Sequence, residues 1–315
     1  MSARRRVRIG VVGTGAMGGH HVRILAALPE AELLGIYDQR PEVAEQLARA
    51  NGTRSWPSIE ALAAEVEALV LAVPTYAHAS IGRPLLAAGR HLLIEKPIAA
   101  SLAEADQLLA AAASGSPPPV LAVGHVEFFN PAVQALLAVG GQPRFIEIQR
   151  LSAFTPRSLD VDVILDLMIH DLQLLHALDR SEVAEIRASG IDVMSGKVDL
   201  AHARIAFASG TVATVAASRV SAEPIRKLRV YLDQRYFSLD YRQQEIKGYA
   251  LRNSGDKRVI VPEHLEVCRS EPLRLELESF LAACRGEDVA WVDGNAARRA
   301  LATALAVREA VAGRG

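Results

Sequence analysis

The chain has 315 residues, of which 50% are hydrophobic, and its formal net charge is -1. This length predicts two domains that can each bury a core. The balanced charge gives no electrostatic reason for binding nucleic acid, and no apolar run is long enough to cross a bilayer. Cys268 and Cys284 have no His or Cys neighbours at metal-binding spacing, which is typical of thiols in a reducing compartment. We therefore expect a cytoplasmic protein that holds no metal.

A glycine-rich turn follows the first apolar run of the chain, Val7–Val12. The turn consists of Gly13, Thr14, Gly15, Ala16, Met17 and Gly18. In this pattern the first glycine allows a tight turn, the second lets a pyrophosphate approach the backbone, and the third lets the next helix pack against the strand. The free N–H groups and partial positive charge of the helix N-terminus then face the phosphates. The pattern predicts dinucleotide binding, and a glycine-rich turn without a ligand is the alternative.

A second apolar run ends on Asp38, twenty residues after Gly18. A carboxylate at this place can accept two hydrogen bonds from the adenosine ribose of the coenzyme. The 2′-phosphate of NADP would instead bring about two negative charges against it. Arg40 would offset this repulsion if it turned inward, but Pro41 suits the first turn of a helix and leaves Arg40 exposed. We therefore predict NAD as the coenzyme.

Strands and helices alternate in the first part of the chain. The apolar runs predict strands near residues 7–12, 33–37, 68–73, 91–95 and 120–124. Ser101 and Glu104 form a capping box at the start of one intervening helix. The alternation is typical of an α/β fold with a parallel, doubly wound sheet. We assign residues 1–123 to this dinucleotide-binding domain.

Strands follow one another beyond residue 124. Alternating hydrophobic and polar residues predict strands at 145–149, 202–207 and 211–217, and a hairpin from 229–232 to 236–241. This pattern is typical of an open, mainly antiparallel sheet backed by a few helices. Residues 124–315 are therefore predicted to form an α+β domain.

Lys96 is the first candidate for chemistry, because Glu95-Lys96-Pro97 follows directly on a predicted strand. In an open parallel sheet, ligands bind at the carboxyl ends of the strands. Of the 35 basic residues only five are lysines, so the chain uses arginine by default. A lysine acts as a compact point charge and can lose its proton, whereas an arginine cannot. The alternative is a surface Glu-Lys pair that closes a strand.

The second candidate pair is Asp166 with His170, four residues apart on a predicted buried helix at 163–178. The two side chains share one face of that helix, and Asp171 is rotated away from it. A hydrogen bond within the core is one interpretation of the pair. The spacing also suits two metal ligands, but no third ligand stands at a suggestive distance. In the functional interpretation, His170 accepts a proton near neutral pH, Asp166 orients it, and Lys96 stabilises negative charge on the substrate oxygen.

The combined motifs resemble the Gfo/Idh/MocA family of oxidoreductases over essentially the whole chain. The resemblance implies an N-terminal Rossmann domain, a second domain with a large open sheet, and NAD(P)-linked oxidation of a sugar or cyclitol hydroxyl. It also implies catalytic roles for Lys96, Asp166 and His170. The segment around Val73, Pro74, Thr75 and His78 resembles the family's loop beneath the nicotinamide. Glu95 is expected to contact the coenzyme as well, and His78 is alternatively a solvated residue at a helix start.

Two stretches, 123–131 and 150–162, resemble the family members that oxidise the 3-hydroxyl of UDP-N-acetylglucosamine for lipid A-type or surface glycan precursors. In this comparison Arg157 or Arg150 would donate to the diphosphate, with arginines on a solvated strand as the alternative. His125 and Asn130 either touch the sugar or cap the following helix. We therefore expect a sugar-nucleotide or sugar substrate, which Lys96 and His170 also contact.

Two other functions remain open at this point. One is a dehydrogenase of a free sugar or of inositol, and the other is an NAD-binding regulatory protein without turnover. NAD that stays bound and is reoxidised by a keto acid is a further possibility. The open sheet leaves one face to cover, and family members cover it by forming a homodimer or homotetramer.

Overall fold

The computed structural model describes residues 5–155 and 161–313. The chain divides into two compact units, Met1–His125 with Leu273–Arg298 and Val126–Pro272 with Arg299–Gly315. Among the helices of the described ranges, none is long and apolar enough to cross a membrane.

The first unit contains a five-stranded parallel sheet in the order β2-β1-β3-β4-β5. Its elements are β1 Val7–Val12, α1 Ala16–Ala27, β2 Ala31–Tyr37, α2 Pro41–Ala50, α3 Ile59–Glu65, β3 Ala68–Leu71, α4 His78–Ala87, β4 His91–Glu95, α5 Leu102–Ala113 and β5 Leu121–Gly124. The predicted α/β class and all five predicted strands are thereby confirmed. Glycine-rich and polar turns at the carboxyl ends of the strands form the edge at which ligands bind in such sheets.

Local sequence explains where these elements begin. Pro41 occupies the first turn of α2, where its missing N–H leaves no helical bond unmade. Ser101 caps α5, and the side chain of Glu104 returns to the Ser101 backbone, as predicted. The strands are apolar runs because both faces of the sheet are covered, and β3 is buried throughout.

A C-terminal stretch completes the core of the first unit. Helix α8, Pro272–Cys284, contributes Leu277, Phe280 and Leu281, each at most 1% exposed. The backbone N–H of Val123 in β5 donates to the carbonyl of Val292 at 2.9 Å. The sequence-based division at residue 123 leaves this stretch with the second domain, because the helical pattern of 272–284 does not say which core it enters.

The second unit contains an eight-stranded sheet in the order β13-β12-β11-β10-β6-β9-β8-β7. Its elements are α6 Pro131–Val139, β6 Phe145–Leu151, a π-helical turn Ile164–Met168, α7 Ile169–Leu178, β7 Val183–Ile191, β8 Leu200–Phe207, β9 Val212–Ser218, β10 Ile225–Leu232, β11 Arg235–Asp240, β12 Glu245–Ser254 and β13 Lys257–Glu263. Helix α9, Gly294–Ala312, follows α8. Neighbouring strands run antiparallel except for β6 and β9, which confirms the predicted mainly antiparallel sheet.

The two faces of this sheet differ in character. One face is buried and carries, for example, Ile148, Leu228 and Phe237. The other face carries four aromatic rings that follow one another across four paired strands, which we call the aromatic row: Phe145, Tyr231, Tyr236 and Tyr249. Successive ring centroids in the row lie 5.9, 4.9 and 6.4 Å apart. The sheet is therefore open on the side of the aromatic row.

Candidate active site

The glycine turn after β1 has the shape that a dinucleotide requires. Gly13 has a φ of +94°, and a Cβ there would lie 2.4 Å from the carbonyl oxygen of Ala72. A Cβ on Gly18 would lie 1.9 Å from the carbonyl oxygen of Gly13. At Gly15, the N-cap of α1, a Cβ would meet nothing within 4 Å. The first and third glycines are thus required by the protein itself, and the second faces the open space in which a pyrophosphate fits.

A cleft of about 690 Å³ lies along this edge of the first unit. The predicted coenzyme residues that line it are Gly13, Gly15, Met17, Asp38, Val73, Pro74, Glu95 and Lys96. Apart from Met17, which lies in the first turn of α1, these residues come from the carboxyl ends of β1, β2, β3 and β4 or from the turns that follow them. The structure therefore brings together most of the coenzyme residues that the sequence predicts.

Asp38 is held in place by the glycine turn and by Arg40. Its Oδ2 accepts the backbone N–H and the hydroxyl of Thr14, both at 2.7 Å, and its Oδ1 accepts the Arg40 backbone N–H at 3.0 Å and Nε at 3.1 Å. Burial opposes ionisation, but the hydrogen bonds from Arg40 and Thr14 hold the pKa of the Asp38 carboxyl well below its usual range. Asp38 is therefore a carboxylate, as its proposed contact with the ribose requires.

His78 lies behind the wall of the cleft. Its ring is 1% exposed, with Nδ1 2.9 Å from the carbonyl oxygen of Pro97 and Nε2 2.9 Å from that of Val73. Burial lowers the pKa of His78, so the neutral ring donates to one of these two carbonyls at a time. The imidazole joins the turn after β3 to the turn after β4, and any effect of His78 on the coenzyme passes through those turns.

Glu95 connects Lys96 to the buried face of α1. The Glu95 carboxylate lies 2.7 Å from Nε2 of the fully buried His21 and accepts the Lys96 backbone N–H at 3.2 Å. Burial would raise the pKa of Glu95, but the hydrogen bond and charge of His21 and the charge of Lys96 lower it. A Cβ on Gly124 would lie 3.1 Å from this carboxylate, so the end of β5 leaves room for it.

Two buried residues near Glu95, His21 and Glu276, were not predicted from the sequence. His21 stands in the amphipathic pattern of α1 like any core residue, and no local signal links it to Glu95. Glu276 on α8 is 1% exposed, and neither of its carboxyl oxygens has a hydrogen-bond partner in the described part of the chain. Burial and the nearby Glu95 charge raise the pKa of Glu276 well above its usual value.

His125 is fully buried at the end of the first unit. Burial and the charge of Lys96 lower the pKa of His125 to about 3, so its ring is neutral at physiological pH. Asn130 begins α6 in the second unit, where its side chain accepts the Ala132 N–H at 3.1 Å and donates to the Tyr241 carbonyl at 3.0 Å. Asn130 is thus a helix cap, which was one of its two interpretations. Arg157 lies outside the described residues.

Asp166 lies on a widened helical turn, and His170 is the second residue of α7, which follows that turn. The segment Ile164–Met168 is π-helical, and the N–H of Ile169 bonds to the carbonyl of Ile164. Met168 and Ile169 are fully buried, whereas Asp166 and His170 are partly exposed. The predicted buried helix is confirmed, but its first turn is wider than an α-helix, a feature that often occurs at functional sites. The meeting of these two residues with Lys96 stays a prediction.

Asp171, the neighbour of His170, belongs to a buried ion-pair network. Nε and Nη2 of Arg150 lie 2.7 Å from its two carboxylate oxygens, and Nη1 of Arg150 lies 2.7 Å from Oε1 of Glu127. Burial opposes the charge of Arg150, but the two carboxylates raise the pKa of Arg150 further above its usual value. Arg150 is 3% exposed, and each of its three guanidinium nitrogens bonds to one of these carboxylates, so it is not available to a diphosphate. The alternative that Arg150 lies on a solvated strand is also wrong, since its side chain enters the core.

Comparisons with known proteins agree with this arrangement. Residues 7–124 match the family model described as "Oxidoreductase family, NAD-binding Rossmann fold", and residues 133–237 match the "GFO/IDH/MocA C-terminal domain". The UDP-N-acetylglucosamine 3-dehydrogenase of Acidithiobacillus ferrooxidans is 40% identical over 309 residues, covering 97% of each chain. Inositol 2-dehydrogenase of Rhizobium meliloti is 26% identical over 325 residues, again covering 97% of each chain.

A solved structure gives the same result at the level of the fold. That of UDP-N-acetylglucosamine 3-dehydrogenase GnnA from Acidithiobacillus ferrooxidans has a TM-score of 0.91 and 39% sequence identity, and covers 98% of both chains. The match over residues 7–124 makes NAD the coenzyme of this chain. Its binding at the glycine turn, the Asp38 carboxylate and the cleft beside Lys96 stays a prediction. The chain belongs to the Gfo/Idh/MocA family of oxidoreductases.

Proposed function

We propose that the protein oxidises the 3-hydroxyl of UDP-N-acetylglucosamine to a ketone with NAD as the hydride acceptor. The observation that carries the proposal is the 40% identity, over 97% of both chains, to a protein named for this reaction. The residues proposed for the chemistry are all present, with Lys96 in the NAD cleft, Asp166 on the π-helical turn and His170 in the first turn of α7.

Three side chains divide the proposed chemistry. Bound NAD supplies an acceptor for the hydride that leaves the sugar carbon. His170 removes the proton of the sugar hydroxyl, because an imidazole is basic enough near neutral pH to accept it. Asp166 orients the imidazole, and the Lys96 ammonium stabilises negative charge that develops on the substrate oxygen. The partial exposure of Asp166 and His170 leaves both accessible to a substrate.

Two buried side chains, Glu95 and His21, hold the backbone of Lys96 in place. The Glu95 carboxylate accepts the Lys96 backbone N–H, and His21 fixes that carboxylate from the helix side. An ionised carboxylate has no proton to donate, so Nε2 of His21 carries the hydrogen of this bond. This arrangement preorganises the Lys96 backbone before substrate binds, which is how an electrostatic contribution to catalysis becomes large.

Arg226 on β10 is our candidate for binding the diphosphate. Its side chain is 42% exposed, and its described ion pair is a contact of 3.6 Å with Glu127, whose carboxylate Arg150 already holds at 2.7 Å. Burial and the positive charges of Arg150 and Arg242 lower the pKa of Arg226 below its ordinary value. An anion beside Arg226 would offset this repulsion between cations, and a guanidinium binds phosphate oxygens in forked geometry.

The catalytic assignment is tested by variants that keep the fold. Lys96→Ala and His170→Asn are each expected to lower turnover by about a hundredfold or more. Lys197→Ala removes a lysine from an exposed loop and serves as the control. Turnover is measured as NADH formation with UDP-N-acetylglucosamine, together with NADH binding at equilibrium. Near-normal turnover in either catalytic variant would remove the role that we propose for that residue.

The substrate assignment is tested by comparing panels of UDP-sugars and free sugars, with inositols included. The proposal expects NADH formation with UDP-N-acetylglucosamine and oxidation at its third carbon, identified by NMR of the product. Arg226→Ala should raise KM for the nucleotide sugar by about tenfold while sparing NADH binding. The similarity to inositol 2-dehydrogenase makes inositol the main competitor. Turnover of inositol but not of UDP-sugars would reject the proposal.

We further propose that the protein forms a homodimer or homotetramer through the aromatic row. Tyr231 and Tyr249 are 37% and 42% exposed on the open face of the sheet, and Ile260 on β13 is 73% exposed. A contiguous apolar patch of this kind is typical of an interface. A closed symmetric pair buries the same patch on both copies.

A further inference from the structure

We infer that Arg40 sets the preference between NAD and NADP by acting on the two coenzymes in opposite directions. The Arg40 side chain occupies a position on Asp38 that the adenosine ribose of NAD needs. Once displaced, the same side chain is a cation beside the place where the 2′-phosphate of NADP would lie. The inference concerns coenzyme binding alone and does not depend on the identity of the sugar.

The first step is the occupancy of Asp38. A carboxylate has about four acceptor positions. Thr14 takes two of them with its N–H and hydroxyl at 2.7 Å, and Arg40 takes two with its N–H at 3.0 Å and Nε at 3.1 Å. Asp38 therefore has no acceptor position left for the ribose until one of these four donors moves.

The second step identifies the donor that moves. The N–H of Thr14 belongs to the glycine turn, and the N–H of Arg40 belongs to the residue that caps α2, so neither can leave without moving the backbone. The side chain of Arg40 is 59% exposed, whereas that of Asp38 is 9% exposed. An exposed ion pair is easily exchanged for water. We therefore expect Arg40 Nε, helped by rotation of the Thr14 hydroxyl, to give way to the ribose.

The third step concerns the phosphate. Asp38 and Arg40 both line the NAD cleft, so the released guanidinium stays at its rim. An arginine near the acidic residue of this fold is the usual partner of a 2′-phosphate. With NADP, Arg40 would bind the phosphate and also offset its repulsion from Asp38. The same side chain thus weakens NAD binding by competition and strengthens NADP binding by attraction.

The test is equilibrium titration of the purified protein with NADH and NADPH, without sugar, for wild type, Arg40→Ala and Arg49→Ala. Arg49 lies on α2, is 82% exposed and pairs with Glu45, so Arg49→Ala removes one exposed cation from the same helix. We expect Arg40→Ala to bind NADH about two- to fivefold more tightly and NADPH about tenfold more weakly. Arg49→Ala should leave the ratio of the two dissociation constants within about twofold of wild type.

The competing outcomes are distinct. Unchanged dissociation constants for NADH and NADPH in Arg40→Ala would overturn the inference. An equal weakening of NADH and NADPH binding would also overturn it, because Arg40 would then only support the adenine or the loop. Arg40→Lys keeps the charge but lacks the Nε donor, and should therefore keep most of the NADPH affinity while tightening NADH. A failure of the UDP-N-acetylglucosamine proposal would leave all these constants as they are.

Discussion

The two guanidinium nitrogens Nε and Nη2 of Arg150 each lie 2.7 Å from an oxygen of the Asp171 carboxylate. This bidentate pair is buried and joins β6 to α7, the helix that begins one residue before His170. Its geometry holds the first turn of α7 against the sheet. Because the pair lies next to the proposed base, it is expected to govern both the stability of the second unit and the placement of His170.

Removing the Asp171 carboxylate should be costly. We expect Asp171→Ala to lower the free energy of unfolding by about 3–5 kcal/mol, because it leaves the buried Arg150 charge with Glu127 alone. Asp233→Ala breaks the exposed ion pair with Arg144, whose nitrogen lies 3.1 Å away, and should cost less than about 1 kcal/mol. Urea unfolding at pH 7 measures both. Equal decreases in the free energy of unfolding in the two variants would mean that the buried ion pair stabilises the protein no more than the exposed one.

The two glycines Gly15 and Gly18 should respond differently to the same added methyl group. Gly18→Ala places a Cβ against the carbonyl of Gly13 and should destabilise the protein by about 1–3 kcal/mol or more. Gly15→Ala meets open space, so its stability should stay within about 0.5 kcal/mol of wild type.

The same Gly15→Ala change should still weaken NADH binding by about tenfold or more, because the methyl group occupies the approach of the pyrophosphate. Thermal unfolding and NADH titration separate the two effects. A Gly15→Ala variant that binds NADH like wild type would show that the phosphates pass elsewhere.

Stability should fall in mild acid because His125 is buried in its neutral form. Its pKa is about 3 in the folded protein and about 6.5 when unfolded, so between these values the unfolded chain binds more protons. The free energy of unfolding therefore decreases as the pH falls below about 6.5. From pH 7 to pH 5 this one residue should account for about 2 kcal/mol. His78 and His176, whose pKa values are also lowered by burial, should add to the same trend.

The share of His125 is measured with His125→Gln. This variant should be less stable at pH 7 but should lose about 2 kcal/mol less than wild type between pH 7 and pH 5. His20→Gln, at an exposed position on α1, is the control and should keep the wild-type dependence. The same pH dependence in all three proteins would contradict a neutral, buried His125.

Charges in the aromatic row should separate the subunits. Tyr231→Asp combined with Tyr249→Asp places two carboxylates on the open face, where burying them in an interface would be unfavourable. Light scattering should then give the mass of a single chain, 33.8 kDa, in place of a multiple of it. Met194→Asp changes a residue that is 64% exposed in a loop outside the sheet, and is expected to leave the assembly intact. An unchanged mass for the double variant would place the interface elsewhere.

Much of the fold could be predicted because its signals are local. The glycine turn, the capping box at Ser101 and the alternation in β6 and β8 each depend on neighbouring residues, and the structure confirms them. Strands β7, β12 and β13 were not predicted. Strand β13 lies at the edge of the sheet and β12 pairs with it. Both strands are largely exposed and polar, so their pattern is weaker than that of a half-buried strand.

The candidate site shows where prediction from sequence ends. Gly13, Asp38 and Lys96 could be placed at the carboxyl edge of the parallel sheet because each directly follows a predicted strand of that sheet. The pairing of His21 with Glu95, and of Arg150 with Asp171 and Glu127, joins residues far apart in the chain, and nothing in the local pattern specifies it. Arg150 is an example of the resulting error. Its position on a strand suggested a diphosphate ligand, but its partners in the structure are two carboxylates.

The stretch that carries Leu277, Phe280 and Val292 has a consequence for biosynthesis. These residues complete the interior of a unit whose other 125 positions emerge from the ribosome first. Domains usually fold in the order in which they are made. Here the nucleotide-binding unit is complete only after residue 298 has been synthesised. Until then its β5 edge presents unsatisfied backbone groups that a chaperone could recognise.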